Sequence, residues 1–177
     1  PFGVTFIAPS GGDYALLDAA QALLGDSAGT KQRPGEFHLA VCGAHLAGQP
    51  LNPDLVARSG YLVSTTSTSP DYRLYALPDG RRPARVRDPG RGRSIAVEVW
   101  SIAEAEVASF LQTIAPPLGI GRIELENGEW VQSFIAEGIA TIGATDITEF
   151  GGWRAYRASL DAKSRETGMG LPQPSHE

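Results

Sequence analysis

Sulphur is scarce in this sequence: 177 residues contain one cysteine, Cys42, and one methionine, Met169. A single thiol excludes an internal disulfide and any metal site built from several cysteines. No apolar run approaches the roughly 20 residues that a membrane-spanning helix requires. The opening PFGVTFIA has no basic segment ahead of its apolar residues, so no secretory signal is read there. These absences make a cytoplasmic address, with no membrane partner, the default expectation. Basic charge is also in deficit, 15 Lys+Arg against 20 Asp+Glu for a net charge of −5, which disfavours nucleic acid as a partner. The common catalytic signatures are missing: there is no G-x-S-x-G elbow, no G-x-x-x-x-G-K-[ST] phosphate loop and no H-E-x-x-H zinc helix. Gly119–Ile120–Gly121 lacks the third glycine and the following helix of a dinucleotide site. Neither a metal nor an organic cofactor is expected.

What remains is ordinary for a globular chain, with 42% hydrophobic and 20% charged residues and a length that suits one domain with short appendages. The first eight residues read as extended, and Asp13 caps a helix whose apolar face holds Leu16, Leu17, Leu23 and Leu24. A polar linker covers 25–35. The run EFHLAVCG at 36–43 is nearly all apolar in its second half, as in a strand buried on both faces. Asn52, followed by Pro53, reads as the N-cap of a short helix to Arg58. Strands are predicted over 61–67 and 72–77, and the arginine-rich stretch 79–93, DGRRPARVRDPGRGR, as a solvated hairpin loop. Residues 94–102 form a further strand, and 103–114 a helix on the spacing of Val107, Phe110, Leu111 and Ile114, stopped by Pro116 and Pro117. Asn127–Gly128 joins strands 119–126 and 129–136 in a hairpin. A short helix in FGGWRAYRASL precedes a polar tail. The pattern is α+β: a small mixed sheet with flanking helices, not a doubly wound parallel sheet.

One loop stands out chemically, Val41 to Asn52 after the buried strand, where Gly43 is followed by the small Ala44, His45 and a turn. Consecutive backbone N–H groups at such a turn can hold a carboxylate, and a histidine beside them can move a proton near neutral pH. The alternative leaves His45 as a strand-end histidine that bonds a carbonyl, with the glycines only making the turn. Glu98 interrupts an apolar strand and is read as a pocket acid, an ion pair with an arginine, or an outward-facing residue. Arg73 lies between Tyr72 and Tyr75 along a strand, and either grips a carboxylate in bidentate fashion or lies on the surface. Cys42 reads as core, His38 as a wall or edge histidine, and His176 as part of the tail.

The loop VCGAHLAGQPLN resembles the VxGAHLxGxPLN signature of the allophanate hydrolase C-terminal domain. The stretches SPDYRLYALP, PLGIGRIELENGEWVQSFIAE and DITEFGGWRAY are similar to that family's later blocks, in the same order. PFGVTFIAPSGGDYALLDAA resembles the segment that joins an amidase domain to this domain. The resemblance therefore spans about residues 1–160 and implies three parts: a linker and helix segment over 1–34, a γ-glutamylcyclotransferase-like domain with a barrel-like sheet over 35–160, and a polar tail over 161–177. It implies a pocket beside the Gly43–Leu46 loop with His45 as the catalytic residue. The substrate implied is N-carboxycarbamate, a small dianion left when an amidase domain removes ammonia from allophanate, and the reaction is its decarboxylation. Gly43, Ala44, Leu46, Asn52, Tyr72, Arg73 and Glu98 are the expected substrate contacts. The glycine- and serine-rich segment of an amidase is missing, so the amidase is expected in cis before Pro1 or in trans. Pro1 itself implies either a removed initiator methionine or a piece of a longer chain. Two competing expectations stand beside the decarboxylase: an assembly domain that organises the amidase and its partners, including as a homo-oligomer, and a cyclotransferase. The second is weakened because no counterpart of the cyclotransferases' catalytic glutamate is seen.

Overall fold

The computed structural model describes residues 32–168, and of these the residues from Pro34 on form one compact unit. The extended segment expected at 1–8, the helix after Asp13, most of the 25–35 linker, and His176 lie outside the described residues. Strand β1 (Glu36–Val41) is the axis of a five-stranded sheet ordered β2-β5-β1-β7-β6. It pairs antiparallel with β5 (Ala96–Ala103), Glu36 opposite Ala103 and Val41 opposite Glu98, and parallel with β7 (Trp130–Ala136) at Leu39 and Ala40. With a neighbour on each edge, its last four residues are all buried. That is why an apolar run without alternation sits here.

β2 (Tyr61–Ser67) covers the far edge of β5, with a register shift between Leu62 and Ser64. β6 (Leu118–Glu124) and β7 form the hairpin predicted at Asn127–Gly128. Gly128 sits at φ 84°, a conformation that glycine adopts without steric penalty, and Asn127 Oδ1 accepts the Glu129 N–H at 3.0 Å. A second sheet, ordered β4-β3-β8, joins β3 (Tyr72–Ala76), β4 (Pro83–Arg87) and β8 (Thr145–Asp146). β4 lies against β7, and one cluster including Leu39, Val41, Leu74, Val97, Val99 and Ile123 fills the interior. Each such side chain contributes roughly 1.5–3 kcal/mol by leaving water. The architecture is α+β with a mixed sheet, as the sequence predicts.

Three local expectations change. The loop predicted over 79–93 contains β4, whose Pro83, Ala84 and Arg85 are buried. Its arginines conceal a strand that pairs residue by residue with β3, and its proline stands at the strand's first position, where a missing N–H is tolerated. The helix predicted over 103–114 is a 3-10 turn (Glu104–Glu106) followed by α2 (Val107–Leu111), after α1 (Asn52–Val56). Both the N–H and the hydroxyl of Thr113 close on the Phe110 carbonyl, ending it in a tight turn. The last helix, α3 (Trp153–Gly168), runs past the point where the polar tail was expected to begin, because Ala, Lys, Arg and Glu there are good helix formers.

Candidate active site

The loop that leaves β1 has an unequal hydrogen-bond account. The carbonyls of Gly43, Ala44, His45 and Leu46 accept, in order, from Leu46 N at 3.0 Å, Leu51 N at 2.9 Å, Asn52 Nδ2 at 3.0 Å and Gln49 N at 2.9 Å. Ala47 N donates to Glu98 at 2.7 Å. The N–H groups of Ala44 and His45 have no acceptor among the described residues. A loop with occupied acceptors and two adjacent open donors favours an anion. Leu46 was expected to offer its N–H as well, but that group closes the turn onto Gly43, and the buried Leu46 side chain packs in the core.

Gly43 is fixed by sterics. A Cβ there would lie 2.6 Å from the Pro83 ring, so β4 can approach the loop only because residue 43 has no side chain. Gly43→Ala is expected to cost about 1–3 kcal/mol, read as a lower midpoint in chemical denaturation.

His45 stacks on Phe134 at 5.2 Å and 18°, and meets Phe110 edge-on at 5.7 Å. Its ring makes no hydrogen bond among the described residues. Burial pushes its pKa below the usual 6.5, with Asp54 pulling upward and Arg58 pushing further down. A cavity of about 50 Å³ lies beside it, walled by Gly43, Ala44, His45, Arg82, Pro83 and Phe134. It shares Ala44, Leu51 and Arg82 with an open groove of about 610 Å³. The small cavity has room for a few water-sized groups, and the groove supplies a way in.

Arg82 is the residue that the sequence reading missed. Its Nε donates to Asp79 Oδ2 at 2.8 Å, its terminal nitrogens have no partner among the described residues, and it borders both spaces. The only hint was the Asp79–Gly80 turn, which places Arg82 where Asp79 can hold it. Within an arginine-rich stretch, nothing distinguished this arginine from its neighbours.

The other expected contacts fall elsewhere. Asn52 is the first residue of α1 and not its N-cap, which is Leu51; its amide holds the His45 carbonyl and so positions the loop. Tyr72 is core, its hydroxyl accepting from Glu124 N at 2.9 Å. Arg73 does not line the cavity; it is paired with Asp146 and, at 3.5 Å, with Asp88, over the Tyr75 ring. Those carboxylates occupy the fork that was expected to grip substrate. Glu98 is the ion pair among its three readings: Oε1 accepts from Arg154 at 2.6 Å, and Oε2 from Ala47 N and Trp100 Nε1. It borders a separate pocket of about 270 Å³. Burial raises its pKa, but those donors outweigh burial and hold it below the usual range. Cys42 is buried, as expected of core, and its residue borders the His45 cavity. His38 is buried in β1, 3.5 Å from Glu36.

The sequence profile of the allophanate hydrolase C-terminal domain matches residues 37–158, a span that includes the cavity. The chain is 35% identical over 197 aligned positions to the urea amidolyase of Saccharomyces cerevisiae, covering 94% of this chain but 11% of that protein. An allophanate hydrolase of Kluyveromyces lactis superposes with a TM-score of 0.65 at 42% identity, over 68% of this chain and 20% of that one. A uropathogenic E. coli-specific protein superposes with a TM-score of 0.66 at 35% identity, over 70% of this chain and 96% of that one.

Proposed function

The chain belongs to the allophanate hydrolase C-terminal domain family, and from that premise we propose that it decarboxylates N-carboxycarbamate with His45 as the proton donor. The observation that carries this reading is the loop itself: Ala44 and His45, whose N–H groups and imidazole have no partner among the described residues, border one small cavity. In N-carboxycarbamate two carboxylates flank an N–H. One is held by the N–H groups of Ala44 and His45, and the other faces the Arg82 guanidinium, which takes the part first expected of Arg73. The C–N bond to the departing carboxylate breaks, its electron pair stays on nitrogen, and carbon dioxide leaves. The proton on His45 passes to that nitrogen, giving carbamate. Phe110 and Phe134 keep one side of the ring dry, which strengthens each of these charge interactions.

The substrate is the product of removing ammonia from allophanate, so the domain works after an amidase, in cis or in trans, in the breakdown of urea-derived carbon. γ-Glutamylcyclotransferase chemistry does not follow from likeness of fold, and no unpaired buried carboxylate stands beside His45 among the described residues to serve it.

The pH dependence tests the assignment. Only protonated His45 donates, and burial lowers its pKa in the empty protein. Catalysed kcat/KM should therefore fall as pH rises through a value below 6.5. A bound dianion stabilises the imidazolium, so kcat should fall at a higher pH than kcat/KM. The measurement is carbon dioxide release from substrate generated by a separate amidase, after subtraction of the uncatalysed rate. A catalysed rate that rises through this range would assign His45 the role of a base.

A further inference from the structure

We propose that Arg85 is a buried counter-charge for the anion bound at the His45 cavity, acting from behind the cavity wall. This inference rests on the reading of the cavity as a small-dianion site and adds a residue to it. Arg85 is 3% exposed. Its Nη2 donates to Ser133 Oγ and, at 3.0 Å, to the Phe134 carbonyl, while Nε and Nη1 have no hydrogen-bond partner among the described residues. No carboxylate pairs with it among the described residues. The Tyr72 ring, 5.8 Å from its Cζ, is the remaining electrostatic support. An interior guanidinium so little compensated is costly in the empty protein.

Its position says what offsets that cost. Pro83 precedes Arg85 by two residues on β4, so the two share a face and stand roughly 7 Å apart along the strand. Pro83 is a wall of the His45 cavity, and so is Phe134, whose carbonyl Arg85 holds. Ser133, also held by Arg85, donates at 2.6 Å to Ala40, the residue before the wall residue Val41. The guanidinium thus bonds the backbone of one wall residue, Phe134, and is linked through Ser133 and Ala40 to a second, Val41. A buried charge is screened less than an exposed one, and its pull on a bound anion is twice as strong for a dianion as for a monoanion at the same place. Arg85 thereby favours a doubly charged ligand without touching it.

Malonate is the probe, because replacing the central N–H of N-carboxycarbamate by CH₂ gives its stable carbon analogue. Its affinity is measured by calorimetry, with acetate as the singly charged comparison and the His45 ring resonances reporting occupancy of the cavity. Arg85→Met should raise Tm without ligand, by removing an uncompensated charge, and should weaken malonate binding at least about tenfold while weakening acetate less. Arg85→Lys keeps the charge and should stay within about threefold of wild type. A folded Arg85→Met protein that binds malonate like wild type, or an Arg85→Lys protein that loses as much as Arg85→Met, would overturn this inference alone. A wild type that binds no malonate would remove the dianion-site reading and this inference with it.

Discussion

His45→Ala is expected to lower catalysed decarboxylation by about 10²–10⁴, the range in which a positioned proton donor contributes. Stability should change little by comparison. The ring makes no hydrogen bond among the described residues, and its contacts are two aromatic faces that can close toward each other, Phe110 and Phe134 already meeting edge-on at 5.9 Å. Loss of rate without loss of fold separates a chemical role from a packing role. His45→Gln sharpens the distinction: an amide offers a hydrogen-bond donor of similar reach but cannot deliver a proton, so it should retain malonate binding and still fail to catalyse. Equal rates for wild type and both variants, each measured above the spontaneous reaction, would leave His45 as no more than a wall of the cavity.

Glu98→Ala has the largest expected effect on stability, a loss of about 3 kcal/mol. The carboxylate is 6% exposed and accepts from three donors on three parts of the chain. Truncation leaves the Ala47 N–H and the Trp100 Nε1–H buried without an acceptor, and the penalty comes chiefly from these. Arg154 is about half exposed, so its part is small. Because the Glu98 pKa is lowered in the folded protein, its contribution is complete above the ordinary carboxylate value of 4.5 and is lost as pH falls through the lower folded value. Wild type should therefore lose stability more steeply than Glu98→Gln in that acidic window, as followed by urea titrations at several pH values. A Glu98→Ala loss below about 1 kcal/mol would mean that water replaces the carboxylate without strain. Since Ala47 follows the His45 loop, the same variant should also loosen the cavity and reduce catalysis.

The contrast between His45 and Arg82 explains how far the sequence could be read. The loop was legible because its chemistry is local: β1 ends, a glycine admits Pro83, and the next residues present their N–H groups in order. β1 was legible from composition, since a central strand buried on both faces takes an apolar run without alternation, here Leu39, Ala40 and Val41. The Asn127–Gly128 turn was legible because Gly128 takes a positive φ and the Asn127 side chain accepts the Glu129 N–H. Arg73, Arg82 and Arg85 were not separable in the same way. All three are arginines on or beside β3 and β4, yet one is neutralised by Asp146 and Asp88, one borders the cavity and one is buried against Ser133 and Phe134. What separates them is the pairing of β4 with β3 and the packing of β4 on β7, contacts between residues far apart in sequence. Glu98 is a similar case: its partners Ala47 and Arg154 stand 51 and 56 residues away, and periodicity carries no information about either.

The most direct test of the central claim is the rate of carbon dioxide release from N-carboxycarbamate, formed in place from ¹³C-labelled allophanate by an isolated amidase and followed by ¹³C NMR with and without this chain. The account predicts that the chain shortens the lifetime of the intermediate, in proportion to its concentration and with competition by malonate. An unchanged lifetime at every concentration, with the amidase step fully active, would contradict it.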